Sequence, residues 1–227
     1  MTAWLPGRLD ILPPGQRALW PSLRAAADMG FVLYGGTAVA LRLGHRVSVD
    51  FDFFSDAPLD RTSLAHRFEF VGRSTVLQDE PNALTLLVPT ADSSRPSVKV
   101  SFFGSIAFGR VGVPDLTADG VLQVASLDDL MATKVKVVLQ RAEAKDYRDV
   151  AAMIRCGTSL AAGIASARLM YAPHFQPSES LKALVYFADG DLQGLPVDDR
   201  RTLVDAVNQV RDLPQARILA RHLAREA

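Results

Sequence analysis

The sequence predicts an α+β fold in which the strands are confined to the first half of the chain and the second half is helical. Three observations lead there. "VSVDFDFF", residues 47–54, alternates apolar and polar residues with the period of a half-buried strand. Short apolar runs, "FVLY" (31–34), "ALTLLV" (83–88) and "SVKVSFF" (97–103), are bounded by Gly, Pro, Asn and Asp turn signals. Beyond Ser126 such runs stop, and the chain reads as consecutive segments with helical spacing.

In order along the chain, "GQRALWPSLRAAADMG" spaces Leu19, Leu23, Ala26 and Met29 as one helix face and stops at Gly30. "FVLYGG" is a buried strand running into a glycine pair, and Thr37–Leu43 is a helix ended by Gly44. The strand 47–54 puts Val47, Val49, Phe51 and Phe53 on one face and Ser48, Asp50 and Asp52 on the other. A helix over 61–70 follows, then strands near Val76-Leu77, over 83–88 and over 97–104. The stretch "VPDLTADGVLQVASL" (113–127) reads as a short connection at a boundary near residue 125. After it come helices beginning at Ser126, Lys145, Ser159, Ser178 and Asp198, with "PQARILARHLAREA" (214–227) as a final helical segment. The expected division is an α+β domain over 1–125 and a helical domain over 126–227.

Composition narrows the function classes. With 227 residues, 48% of them hydrophobic, there is enough apolar surface for a sizeable core. Lys plus Arg and Asp plus Glu both total 25, so no global positive charge would drive nucleic-acid binding. Cys156 is the single cysteine; it rules out an internal disulfide and a thiolate metal cluster and favours a reducing compartment. The first twenty residues mix prolines and charges where a secretory signal needs an apolar run, and no stretch approaches the roughly 18 apolar residues of a membrane span. The expected location is the cytoplasm, with no membrane partner. Trp4 and Trp20 are expected to anchor the N-terminal lead.

The chemistry is concentrated in residues 35–54. Strand residues two apart point the same way, roughly 6.5 Å apart along the chain, so Asp50 and Asp52 present two carboxylates to one patch. Their repulsion is relieved by a divalent cation, and Mg²⁺ prefers carboxylate oxygens completed by water and phosphate. Upstream, Gly35-Gly36 lets backbone N–H groups approach a ligand at the start of a helix, where phosphate is favoured. A metal pair beside a phosphate turn suits phosphoryl or nucleotidyl transfer. A second cluster lies downstream: Lys134, Arg141 and Lys145 are cations that could line up beside a polyphosphate, Lys134 and Arg141 being seven apart as on one helix face, and Asp146 and Asp149 share a face at i and i+3. The arginines of the C-terminal region (Arg200, Arg201, Arg211, Arg217, Arg221, Arg225) suit either a solvated helix face or a surface for RNA or a protein antidote.

"YGGTAVALRLGHRVSVDFDFF" resembles the first motif of the AbiEii/AbiGii toxin family, within the polymerase-beta-like nucleotidyltransferase superfamily, and "LDDLMATKVKVVLQRAEAKDYRDVAAMI" resembles that family's second region. The two blocks cover about a quarter of the chain. The resemblance implies a polymerase-beta-like core, a mixed sheet with flanking helices, followed by a helical region. It implies Mg²⁺-dependent transfer of a nucleoside monophosphate from an NTP to an acceptor such as tRNA or another RNA, as the toxin of a type IV-like toxin-antitoxin pair with a possible cognate antitoxin. By position it places Gly35, Gly36 and Thr37 in the phosphate loop and Mg²⁺ on Asp50 and Asp52. It places Lys134 on the triphosphate with Arg141 and Lys145 nearby, and lets Asp146 or Asp149 complete the site. Two departures accompany it. The usual Gly-Ser has Gly36 as its second residue, so a hydroxyl meeting a phosphate must come from Thr37 or be absent. Where many members carry a third strand carboxylate this chain has Ser101, with Lys99 on the same face and able to pair with Asp50 or Asp52. The alternatives are therefore a catalytically impaired nucleotide- or protein-binding domain of the same fold, and a nucleotidyltransferase acting on a small molecule such as an antibiotic.

Overall fold

A computed structural model describes residues 4–5, 8–90 and 96–225, with the side chains of Trp4 and Leu5 outside the description. The chain forms two compact units: one runs to Gly109 and also takes in Val113–Ala125 and the chain from Arg221, while the other comprises Arg110–Gly112 and Ser126–Ala220.

The first unit carries, in chain order, β1 (Trp4–Leu5), α1 (Pro14–Leu19), α2 (Ala25–Asp28), β2 (Val32–Tyr34), α3 (Gly35–Leu43), β3 (Asp50–Phe54), α4 (Arg61–Arg67), β4 (Thr75–Glu80), β5 (Ala83–Val88), β6 (Val98–Phe103), β7 (Asp115–Thr117) and β8 (Gln123–Val124). Its described strands form one mixed eight-stranded sheet in the order β1-β7-β8-β2-β3-β6-β5-β4. β3 sits inside the sheet, antiparallel to β2 and parallel to β6. Its alternation works as the sequence predicts: Phe51 and Phe53 are fully buried, and Asp50 and Asp52 stand half-buried on the opposite face. On the apolar face Phe53 stacks on Phe102 with centroids 5.3 Å apart, and Phe31 meets Phe102 edge-on at 5.2 Å. This aromatic layer fixes the register of β3, because a one-residue slip would send the phenylalanines to the wet face and the aspartates into the core.

Two side chains hold α3 against the sheet. The Thr37 hydroxyl, itself buried, donates to the Asp50 carbonyl and ties the first turn of α3 to the first residue of β3. At the other end Arg42 donates through Nε to the Ala125 carbonyl (2.6 Å), through Nη1 to Asp115 (2.9 Å) and through Nη2 to the Val124 carbonyl (2.9 Å). Placing a cation in the last turn also suits the helix dipole.

The second unit contains α5 (Leu127–Val137), α6 (Ala144–Arg155), α7 (Leu160–Met170), α8 (Pro177–Val185) and α9 (Val197–Gln209). Ser126 caps α5, accepting from the Asp129 N–H at 3.1 Å. The Asp129 carboxylate accepts from the N–H groups of Val111 (2.7 Å) and Gly112 (3.1 Å), which secures that short segment to α5. Gly163 brings α7 close to α5; a Cβ there would lie 2.2 Å from Met131 Cγ.

The structure corrects four expectations. Val47 and Val49 are exposed, at 56% and 60%, because β3 begins only at Asp50; the preceding residues form a loop that leaves α3 through the left-handed Gly44 (φ 66°). The N-terminal helix is broken into α1, a 3-10 turn over Trp20–Leu23 and α2, since Pro21 offers no N–H to continue it. Trp20 is buried as expected, donating to Asp119 at 2.7 Å. The apparent connection 113–127 contains β7 and β8, strands too short to show a period. The described part of 214–227 holds no helix: the Arg110 and Ala220 main chains form an isolated bridge, and Leu223 is fully buried with its N–H donated to Asp56 at 2.9 Å.

Candidate active site

The turn from β2 into α3 is built on glycine for two separate reasons. Gly35 has φ +72°, where side chains are strained, and a Cβ on it would fall 2.3 Å from Asp52 Oδ2. The carboxylate therefore lies directly against the first residue of α3. Tyr34, the residue before that helix, makes no side-chain cap to it, and Asp52, lying against Gly35, sits at the positive end of the helix dipole. A Cβ on Gly36 would fall 2.6 Å from Arg46 Nη2 and 2.9 Å from Ser48 Oγ. The glycine pair and the Asp-x-Asp strand thus converge. Thr37 joins them through the main chain of Asp50, its hydroxyl engaged there.

Sheet register decides what faces each aspartate. Asp50 lies beside Lys99 and Asp52 beside Ser101 on the parallel strand β6. Lys99 Nζ is 3.0 Å from Asp50 Oδ2, the two side chains being 41% and 29% exposed. Ser101 is buried and accepts from the Thr85 hydroxyl at 3.3 Å. The position next to Asp52 where a third carboxylate could stand is therefore neutral. Among the described residues no group of three or more His, Cys, Asp or Glu side chains gathers as a metal cluster. What remains is a two-carboxylate, all-oxygen donor set. It fits Mg²⁺, which takes one or two carboxylates and fills its other positions with water and phosphate, and the partly exposed Lys99 is a partner that Asp50 can exchange.

The downstream cluster is of another kind. Lys134 Nζ lies 2.6 Å from Asp146 Oδ1 and 2.6 Å from Asp149 Oδ2, and these side chains are 6%, 0% and 0% exposed. Arg141 reaches the same Asp146, Nε to Oδ2 at 2.8 Å. Burial alone would raise the Asp146 pKa, but Lys134 and Arg141 outweigh it and hold the carboxyl below its ordinary 3.8. The i, i+3 spacing of the two aspartates does put them on one face of α6. The shared helix face for Lys134 and Arg141 is corrected: α5 ends at Val137, and Arg141 approaches from the connection to α6. Lys145 does not align with them, pairing instead with Glu143 at 2.7 Å. Tyr147 is a core residue whose hydroxyl donates to the Ala183 carbonyl at 3.0 Å. Arg200 is committed to the Leu195 and Leu192 carbonyls, both at 3.0 Å.

Arg46 has no place in the sequence reading, and Ser48 enters it only as a polar-face neighbour of Asp50 and Asp52. Both lie in the loop before β3, where strand parity does not apply, and only the folded loop brings them against Gly36.

Residues 18–219 match the family model described as nucleotidyl transferase AbiEii toxin, type IV TA system. The chain belongs to this family of nucleotidyltransferases. A curated relative of this AbiEii-family chain, an uncharacterized protein of Aquifex aeolicus (strain VF5), is 30% identical over 127 residues, covering 55% of this chain and 58% of the relative. The chain thus aligns with little more than half the length of that relative. Two solved structures are similar at low identity. An antigenic nucleotidyltransferase-like protein from Paracoccidioides brasiliensis matches at 15% identity and TM-score 0.46, over 74% of this chain and 94% of that one. MenT4, a nucleotidyltransferase toxin from Mycobacterium tuberculosis H37Rv, matches at 16% identity and TM-score 0.39, over 80% and 85%. No described helix of the AbiEii-family chain is long and apolar enough to cross a membrane.

Proposed function

We propose that this AbiEii-family chain transfers a nucleoside monophosphate from an NTP to an RNA acceptor, tRNA foremost, acting as the toxin of a type IV-like pair with a cognate antitoxin. The observation that carries the reading is the contact of the Asp52 carboxylate with Gly35 at the start of α3, which makes the carboxylate strand and the glycine turn one site. Asp50 and Asp52 would hold Mg²⁺, which when bound neutralises phosphate charge and favours in-line displacement of pyrophosphate by an acceptor hydroxyl. The N–H groups of Gly35, Gly36 and Thr37 orient the phosphates at the positive end of α3. By the family resemblance Lys134 and Arg141 serve the triphosphate, with Lys145 as a further cation and Asp146 and Asp149 setting the geometry of Lys134. The test is transfer of label from each α-labelled NTP into total RNA with Mg²⁺, run beside Asp50→Ala; RNA labelling that disappears in the variant is the expected result.

A second reading has its own support. Ser101 beside Asp52 and the Lys99–Asp50 pair together describe a site that could bind a nucleotide without transferring it. NTP binding with no product on RNA or on small-molecule acceptors such as antibiotics would favour it.

A further inference from the structure

The second glycine of the turn leaves space at the first turn of α3, and side chains from the loop before β3 lie in it. A Cβ on residue 36 would lie 2.6 Å from Arg46 Nη2, 3.5 Å from Arg46 Cζ and 2.9 Å from Ser48 Oγ. The guanidinium and the hydroxyl therefore occupy the space that a side chain at 36 would take at the first turn of α3. Arg46 is fixed there by its own loop, Nη1 donating to the Val47 carbonyl at 3.0 Å while Nη2 faces Gly36. Ser48 lies in the loop two residues before Asp50, the first residue of β3. Neither residue belongs to the apolar core.

We infer that Arg46 and Ser48 form the polyphosphate clamp of this site, the loop 45–49 supplying across space the hydroxyl donor that position 36 lacks and a guanidinium with it. The inference rests on the nucleotidyl-transfer reading and adds the residues that recognise the phosphate tail. The chemistry matches: a guanidinium presents paired N–H donors to phosphate oxygens, and the positive end of the helix dipole adds to the same field. The division of labour also follows from charge. The acidic side of the turn, Asp52 at Gly35, takes the cation, and the basic side, Arg46 at Gly36, takes the anion. Glycine at 36 is then required by this clamp, because a side chain there would displace it.

The test measures binding of ATP, AMP and inorganic tripolyphosphate with Mg²⁺ by calorimetry. The proteins are the wild type, Arg46→Gln, Arg46→Lys, Ser48→Ala, Gly36→Ser and the double variant Gly36→Ser/Ser48→Ala, each with its thermal melt. Arg46→Gln is expected to weaken ATP and tripolyphosphate about ten- to hundredfold while leaving AMP within about threefold, so that ATP/AMP discrimination shrinks; Arg46→Lys recovers part of it. A merely structural role would lower all three affinities together. Gly36→Ser is expected to weaken tripolyphosphate, because its side chain displaces Arg46, and the double variant is expected to bind it no more tightly than Ser48→Ala, since the collision with Arg46 remains when the Ser48 hydroxyl is removed. Wild-type binding of ATP that Arg46→Gln and Ser48→Ala leave within twofold would overturn the clamp and spare the nucleotidyl-transfer reading. A wild type that binds neither ATP nor tripolyphosphate would overturn both.

Discussion

The two units each contain a pair of aspartates beside a lysine, and the pairs differ in what surrounds them. Asp50 and Asp52 stand on a strand face that keeps some solvent, with Lys99 at 3.0 Å from one of them and 41% exposed. Asp146 and Asp149 are fully buried on α6 and share one ammonium, each at 2.6 Å. In the first pair the lysine is a partner that water or a cation can replace at little cost, since exposed ion pairs contribute about 0–1 kcal/mol. In the second, separating the charges would strand them in a medium that solvates them poorly. The same residue types thus give an adaptable site in one unit and a fixed electrostatic knot in the other.

The comparison breaks most sharply if Asp52 proves dispensable. Asp52→Asn is expected to reduce nucleotidyl transfer by about a thousandfold or more, the scale of several kcal/mol of lost charge stabilisation, with a melting temperature close to wild type. Lys134→Met tests the other pair: removing the ammonium that both buried carboxylates share, with Arg141 still on Asp146, should cost about 3–5 kcal/mol in denaturant unfolding, and a change below 1 kcal/mol would put the knot in the adaptable class. Gly35→Ala meets both the positive φ and the Asp52 oxygen 2.3 Å from its Cβ; it should cost about 1–3 kcal/mol and depress transfer along with it. Acid separates the pairs further. Because Asp146 is held below its ordinary 3.8, the stability it contributes is complete above that value and is lost as pH falls through and beneath it. Chemical denaturation of Lys134→Met should therefore be less sensitive to pH than wild type between about pH 5 and pH 2. The smallest effect belongs to Lys99→Met, less than about 1 kcal/mol on stability, with tighter Mg²⁺ binding as the informative readout.

Much of the sheet unit was legible because its signals are local. The Phe/Asp alternation of β3 and the glycine turn into α3 each lie within a few residues and appear in the fold, as does the equally local i, i+3 spacing on α6 of the helical unit. What escaped depends on partners far along the chain. The Lys99–Asp50 pair could be raised as a possibility, but only the register of β6 on β3 realises it. Strands β7 and β8 are too short for periodicity to reveal, and their places follow from pairing with β1 and β2. The C-terminal segment has helix-compatible residues, yet its backbone finds partners at Arg110, Asp56 and Gln123, and tertiary contact overrides propensity. Arg141 was assigned to a helix face by counting sevens, whereas α5 stops at Val137 and the arginine still reaches Asp146.

The most direct measurement is electron paramagnetic resonance of Mn²⁺, standing in for Mg²⁺, titrated into the protein with a non-hydrolysable NTP analogue. One protein-bound ion per chain is expected, abolished in an Asp50→Asn/Asp52→Asn variant that still folds. Equal binding by wild type and variant, or none by either, would mean that these two acids do not gather a cation and would contradict the account.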